Sequence, residues 1–373
     1  MKNFQELPEL SPLRVHRSRF TEITSRYATL RLAVVGDFCL DRYLEIDPAK
    51  KETSIETGLP IHNVVRVRSQ PGGAGTILNN LLALGIGEIY PVGFCGDDGE
   101  GFELWRALAA KRGVKLKHFI QTPQRRTFTY CKPLVLAPGR PPVELNRLDS
   151  KNWSPTPRAV RQTLAHSVAA LASRVDGFIV LDQVDVAETG VVTREVLRAL
   201  QTVARARPRC PIIADSRRGL RGFPPVMFKM NAAELAAYVA APRQRAASFI
   251  SLENAAVCRP PLRLSLSQVK TVAGDLARKN GLPVFVTLAQ RGILGASPDG
   301  QVEHVPALPV RGPIDIVGAG DAVTANLTAA LAARATLREA IELANAAASV
   351  VIHQLGTTGT ASVAQILTAR REM

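Results

Sequence analysis

Asp315-Ile-Val-Gly-Ala-Gly-Asp321 runs directly into the apolar stretch Ala322–Ala333. Glycines at 318 and 320 let the chain turn tightly just before a helix begins. The free N–H groups of Ala319, Gly320 and Asp321 then point out of the helix N-terminus, a setting that suits an anion such as a phosphoryl group. Asp321 stands where a carboxylate accepts a proton from a hydroxyl beside that anion. Its alternative role is a helix cap. An ordinary aspartate has a pKa of ~3.9 and is ionised at neutral pH without tuning. The turn is not a dinucleotide fingerprint, because Val323 follows where a third glycine is needed. No Gly-Lys pair occurs anywhere, which excludes a Walker A loop.

Outward from this turn, strand and helix signals alternate. Arg31–Gly36 (RLAVVG), Glu88–Gly93, Gly177–Asp182 (GFIVLD), Pro211–Asp215, Val226–Met230 and Val284–Thr287 read as short apolar strands. Helical patterns cover Ala74–Leu84, Gly99–Arg112, Val191–Arg205, Ala319–Ala333 and Leu337–His353. Such alternation predicts an α/β fold, with a mainly parallel sheet covered on both faces.

Two stretches break the pattern. Residues 42–70 hold the β-rich run His62–Val67, and residues 122–150 hold the extended runs Arg126–Leu136 and Val143–Leu148 around Pro138-Gly139. They read either as surface hairpins or as one small β-lid over a site, excluding water during group transfer. Residues 1–29 read as an N-terminal arm with a short helix over Ser18–Leu30, leaving 30–373 as the main domain. Ala241–Ser265 reads as a surface excursion.

Composition narrows the function classes. The chain has 373 residues, 46% hydrophobic and 21% charged, enough for a packed core. No run of ~18 apolar residues is present, so no membrane span is expected. The opening MKNFQELPEL has no apolar signal region. Five cysteines without a CxxC pair and six histidines without ligand spacing fit a reducing cytoplasm and argue against a zinc site. The net charge is +15, and Arg194–Lys229 carries nine basic against two acidic residues. Three readings of that stretch stand: a solvated face, attraction of phosphorylated ligands, or nucleic acid. The last is disfavoured, because aromatics are only 5% and none interleaves the arginines for base stacking.

At the level of motifs, DIVGAGD resembles the C-terminal signature of the ribokinase-like (PfkB) carbohydrate kinases, D-T-x-G-A-G-D. Pro71–Gly85 resembles their N-terminal double-glycine signature, and Gly93–Gly101 its G-x-x-G-x-D-x-x-G continuation. Asn231-Ala-Ala-Glu234 resembles the N-x-x-E metal motif, and Val286–Gly292 the V-T-x-G-x-x-G nucleotide loop. Within the family, Val34–Tyr43 and Ala344–Thr357 resemble the heptose-phosphate kinase domain of ADP-heptose synthesis. An adenylyltransferase domain follows in bifunctional members; with the sequence ending at Met373, only the kinase is expected.

The resemblance implies a three-layer sandwich with a β-lid, and ATP, Mg²⁺ and a monovalent cation as cofactors. It implies a sugar or sugar phosphate, such as a heptose 7-phosphate, as acceptor. It also implies pairing of two chains through the lid. Departures bear on the acceptor and on activity: Ile316 replaces Thr, Ala289 replaces Gly, Thr76 replaces a sugar-contacting Asn, and Gln183–Gly190 differs from the heptose kinases. A catalytically silent sugar- or nucleotide-binding regulator on the same fold therefore stands as the alternative.

The implied site assigns Asp321 as general base and the Gly318, Ala319 and Gly320 turn as the anion cradle. Asp37 and Asp41, following the first strand, either accept sugar hydroxyls or pair with a cation, such as Arg42 for Asp41. Gly72 and Gly73 allow close backbone approach to a sugar, or simply turn the chain; Thr76 lies beside them. Asn231 reaches phosphate oxygens and Glu234 orients Mg²⁺-bound water, against a purely local reading as a reciprocal helix cap. Thr287 and Gly292 line the nucleotide pocket. Asn345 lies near the base or faces the core. Glu144, Arg147 and Asp149 on the lid touch sugar or phosphate, or face solvent.

Overall fold

The computed structural model describes residues 15–240 and 264–371. Among the described residues fourteen strands run, in chain order, β1 Arg31–Gly36, β2 Phe38–Thr53, β3 Pro60–Gly73, β4 Glu88–Gly96, β5 Phe119–Thr122, β6 Phe128–Val135, β7 Val143–Glu144, β8 Leu148–Ser150, β9 Gly177–Asp182, β10 Ile212–Ser216, β11 Met227–Asn231, β12 Val284–Thr287, β13 Ile293–Ala296 and β14 Val302–Val305. Nine form one sheet in the order β14-β13-β12-β11-β10-β9-β1-β4-β5. The pairs from β5 through to β12 are parallel, while β13 and β14 close the edge as antiparallel hairpins.

Period-two alternation divides the core between the two faces of this sheet. On β1, Ala33 and Val35 join the cluster built with Leu164, Leu200 and Val269, whereas Leu32 and Val34 join the one built with Ile77, Leu104 and Leu343. The helices Arg158–Leu171, Arg194–Ala206, Ala232–Ala240 and Leu266–Asn280 thus cover one face. The helices Arg17–Ser25, Ala74–Ala83, Gly99–Ala109, Ala319–Ala332, Leu337–Ile352 and Val363–Arg371 cover the other. The result is an α/β sandwich of three layers. Every side chain from Ala322 to Ala330 in the helix Ala319–Ala332 is buried, and its alanines and threonines are small enough for helices to pack on both sides.

The two stretches that interrupt the alternation meet in a second sheet, ordered β3-β2-β6-β7, with β8 also on β6. β2 continues β1 across Asp37 and pairs antiparallel with β3 and parallel with β6. The segment 143–148 is two short strands rather than one extended run. The N-terminal segment read as an arm belongs to the core from Val15 onward. Phe20, Ile23 and Tyr27 are buried, and Arg19 pairs with Glu339 at 2.8 Å. The excursion at Ala241–Ser265 lies almost wholly outside the described residues. No helix among the described residues is long and apolar enough to cross a membrane.

Candidate active site

Parallel register brings the carboxyl ends of the central strands to one edge of the sheet, where ligands of such sheets bind. Gly36 pairs with Leu181, Ser216 with Asp182, and Asn231 with Thr287. Asp37, Asp182, Asp215, Asn231 and Thr287 therefore form a row, and the turn before Ala319–Ala332 faces it. Gly318 is the N-cap of that helix with φ +83°, a left-handed conformation that explains the glycine. Asp321 is not the cap: it lies in the first turn and its carboxylate makes no hydrogen bond among the described residues. Burial pushes its pKa up to about 7; Lys229 pulls it down, and Asp215 and Asp41 add to the rise. This corrects the sequence expectation of an ordinary, fully ionised aspartate. Asp321 stays partly open to the cleft, yet deep enough that its charge is poorly solvated.

Beside the turn lies a cavity of about 910 Å³. Asn231, Thr287, Gly292, Ala319, Gly320 and Asn345 all line it, so six of the sequence-derived residues converge there. Its walls are mostly apolar, with Leu288, Ile293, Leu308 and Ile316 among them. Asn345 donates its amide to the Pro306 carbonyl at 2.7 Å, which fixes the wall segment near 306. Asn231 and Glu234 make the reciprocal cap: Asn231 N–H donates to Glu234 at 2.7 Å, and Glu234 N–H to Asn231 Oδ1 at 2.9 Å. The cap spends Glu234 Oε2; Oε1 has no partner among the described residues. Burial raises the Glu234 pKa, countered by the Asn231 N–H, while Asp215 adds to the rise. Among the described residues no three His, Cys, Asp or Glu side chains cluster to hold a metal by themselves.

On the other side of Asp321 stands the five-stranded sheet. Asp41 on β2 is 6% exposed, and a side chain at Gly72 would displace its carboxylate, so this glycine leaves room for Asp41 in its present place. Burial raises the Asp41 pKa, and Lys132 and Arg147 pull it back while Asp149 raises it further. Arg147 pairs with Asp149 at 3.1 Å and stacks 5.0 Å from the Tyr130 ring centre. Lys151 and Arg217 both pair with Asp185, at 2.8 and 3.6 Å, and Arg217 also lowers the Asp321 pKa. Three cations, Lys132 and Arg147 beside Asp41 and Arg217 beside Asp321, thus flank the two carboxylates. Glu144 is exposed on β7, opposite Leu134, and makes no ion pair among the described residues. Gln70 on β3 donates to Thr358 Oγ1 at 2.6 Å, and Thr358 packs against Gly318, linking the second sheet to the turn.

Two expected sugar contacts do not reach the cleft. Both Asp37 oxygens accept backbone N–H groups, from Val191 at 2.7 Å and Gln183 at 2.8 Å. Asp37 ties the 183–191 loop to β1, and burial with the nearby Asp182 charge raises its pKa. Thr76 is 1% exposed in the first turn of its helix and presents no surface to a ligand. Gly73 turns the chain into that helix with φ +56°. Ala289, where the resemblance has glycine, carries φ +52°, a strained value for a residue with a Cβ. The basic stretch does not act as one face. Arg207 bonds the Val175 carbonyl, Arg218 pairs with the buried Asp182 at 2.7 Å, and Lys229 is buried, while Arg194, Arg198, Arg205 and Arg209 are exposed. Sequence reading missed Lys132, Arg217 and the Lys229–Asp215 pair. A lysine inside an otherwise apolar strand was the available signal for the last.

These features, a nucleotide-sized cavity and an aspartate at a glycine turn in a sandwich of this topology, define a class of phosphotransferase. Residues 31–364 match the pfkB family carbohydrate kinase profile, and the chain belongs to that family. It is 31% identical over 342 residues to the bifunctional protein HldE of Hyphomonas neptunium, covering 91% of this chain and 63% of that protein. It is 30% identical over 330 residues to the HldE of Azorhizobium caulinodans, covering 87% of this chain and 61% of the relative. The chain thus spans about three-fifths of the length of these relatives. In fold it resembles an Arabidopsis thaliana ribokinase complexed with ribose and ATP (TM-score 0.61, 17% identity, 92% of this chain and 99% of that one). It also resembles the Escherichia coli phosphofructokinase-2 in complex with fructose-6-phosphate (TM-score 0.61, 16% identity, 92% and 99%).

Proposed function

We propose that the protein transfers the γ-phosphoryl group of ATP to a hydroxyl of a phosphorylated sugar, a heptose 7-phosphate being the acceptor that the resemblance of Val34–Tyr43 and Ala344–Thr357 to heptose-phosphate kinases suggests. The observation that carries this reading is the position of Asp321. Its carboxylate makes no hydrogen bond among the described residues and lies between the apolar cavity and the cations beside Asp41. ATP occupies the cavity, with its base against Leu288, Ile293 and Leu308. Its phosphates extend toward the N–H groups of Ala319, Gly320 and Asp321, where oriented backbone dipoles stabilise charge developing on the transferring group. The sugar lies over Asp41 and Gly72, and its phosphate is neutralised by Lys132, Arg147 and Arg217. Asp321 takes the hydroxyl proton as the new oxygen–phosphorus bond forms, and the bond to the departing ADP oxygen breaks.

Mg²⁺ fits the residues present, since it is held by one or two carboxylates with phosphate oxygens and water rather than by a protein cage. Glu234 Oε1 would take a water of that ion, and its charge would neutralise the phosphates. The same family likeness suggests a monovalent cation; the carboxylate of Asp315, which accepts Val317 N–H at 3.0 Å, is the group nearest the turn that would serve it. The five-stranded sheet acts as a lid, and its link from Gln70 through Thr358 to Gly318 couples its position to the catalytic turn. Two copies pair through this sheet. β3 is an edge strand, and Ile61, Val64, Val65 and Val67 stand exposed on it, an arrangement that a second copy would cover.

The test is ATP turnover with a panel of sugars and sugar phosphates that includes heptose 7-phosphate, ribose and fructose 6-phosphate. Turnover confined to phosphorylated acceptors supports the reading. Ligand binding with no turnover on any acceptor would instead support the silent regulator.

A further inference from the structure

Lys229 sits on β11 among Met227, Phe228 and Met230, with its side chain 7% exposed. Taking an ammonium out of water costs several kcal/mol, so packing alone gives no reason to keep one there. Its partner is Asp215 at the end of β10, with Nζ 2.6 Å from Oδ2. The same oxygen lies 3.5 Å from Thr324 Oγ1, three residues beyond Asp321, and Thr324 in turn donates to the Gly320 carbonyl at 3.0 Å. A Cβ on Gly320 would stand 3.1 Å from Nζ, so the ammonium lies directly against the backbone of the glycine turn. Burial pulls the ammonium toward its neutral form, but Asp215 and Asp321 outweigh it and the pKa is raised, so Lys229 is charged at every pH where the enzyme would work.

A buried ion pair by itself is a poor stabiliser compared with apolar packing. This one lies against Gly320, the residue immediately before the carboxylate that the proposed reaction needs ionised. We propose that Lys229 is a positioning residue for phosphoryl transfer: anchored by Asp215 beneath Gly320, its ammonium gives the Asp321 carboxylate a fixed counter-charge. The proposal rests on the reading of Asp321 as general base. The hydroxyl O–H bond breaks and an Asp321 O–H bond forms as the hydroxyl oxygen bonds phosphorus and the ADP oxygen leaves; Lys229 neither gives nor takes a proton. The charged groups facing Asp321 are Lys229 on β11, Asp215 and Arg217 at the end of β10, and Asp41 on β2; Lys229 also faces Glu234. Of the two cations, Arg217 is shared with Asp185, whereas Lys229 is held against the turn.

Lys229→Met and Lys229→Arg, with Asp215→Asn and Asp321→Asn as companions, test this on the full chain. Two readouts are needed: the pH profile of kcat/KM for the acceptor, and the Asp321 carboxyl titration followed by carbon NMR of labelled aspartate, assigned by its loss in Asp321→Asn. In Lys229→Met the acid limb and the carboxyl titration both move up by about one pH unit, a tenfold loss at the acid end that alkaline pH largely recovers. Lys229→Arg keeps both near wild type. Asp215→Asn, which removes a negative neighbour, moves both downward; Lys229→Gln, which keeps a polar side chain beside Asp215 without the positive charge, moves both upward as Lys229→Met does and keeps the proposal testable if Lys229→Met does not fold. A folded Lys229→Met with an unmoved titration, or with activity lowered equally at all pH values, overturns the proposal. Full activity in Asp321→Asn overturns the general-base reading and the proposal with it, a result distinct from an Asp321 titration that ignores Lys229.

Discussion

Asp321→Asn separates catalysis from stability in a way the structure makes quantitative. The substitution keeps size and polarity but removes the proton acceptor. Loss of a general base costs ~10²–10⁴ in rate, about 3–5 kcal/mol of barrier. ATP binding should stay within a few-fold, because the cavity wall and the backbone N–H groups of the turn are untouched. Stability should move the other way. Burial holds the Asp321 pKa near 7, against ~3.9 in an unfolded chain. The folded protein therefore binds more protons than the unfolded chain across that window, and stability falls as pH rises from about 4 to 7. The full difference corresponds to an upper bound of roughly 4 kcal/mol, reduced by the residual exposure of the side chain. The Asn variant escapes this cost. It should match wild type below pH ~4 and exceed it above pH ~7 by about 1–3 kcal/mol. Urea unfolding at pH 5, 6.5 and 8, run beside turnover and ATP affinity, measures all three quantities. Wild-type turnover in the variant, or a loss of stability at pH 8, would refute the reasoning.

Glu234→Gln should raise the Mg²⁺ concentration needed for half-maximal turnover while leaving the melting temperature nearly unchanged, because glutamine still accepts the Asn231 N–H; a magnesium titration checks it. Arg147→Ala should raise KM for a phosphorylated acceptor by about ten-fold and leave an unphosphorylated analogue unaffected, as expected for the loss of one charge-assisted contact; parallel kinetics on the two acceptors decide. Ala289→Gly should stabilise the protein by up to about 1 kcal/mol, since relief of ~1–2 kcal/mol of left-handed strain exceeds the added unfolded-state entropy; denaturant midpoints suffice to show it. Val65→Lys on the exposed edge strand should convert the proposed dimer to a monomer, read by light scattering.

Much of the fold was legible because its determinants are local. The glycine turn at 318–320, the apolar strand runs and the intervening helices each carry their own pattern, and the parallel sheet follows from their alternation. The cavity residues Asn231, Thr287, Gly292 and Asn345 were likewise readable, each by its place in a short motif. Lys229 and Asp215 were not. Their pairing depends on the register of adjacent strands, in which Ile213 lies opposite Met227 and Ala214 opposite Phe228, and no local pattern encodes that alignment. Lys229 therefore read only as part of a basic run. Asp37 stood open for a related reason: its position after the first strand is that of a ligand contact, but the 183–191 loop folds back so that both oxygens accept its backbone N–H groups. The N-terminal arm is a case where the signal was present. Phe20, Ile23 and Tyr27 recur at helical spacing, the stripe that buries them.

The measurement that bears most directly on the whole account is the fate of the γ-phosphoryl group with a phosphorylated sugar as acceptor, followed by phosphorus NMR of the full chain with ATP and Mg²⁺, with Asp321→Asn run in parallel. The account predicts a new sugar phosphate signal growing as ADP forms in the wild type, and its near-absence in the variant despite retained ATP binding. Equal product in both proteins, or ADP released with inorganic phosphate and no phosphorylated sugar, would contradict it.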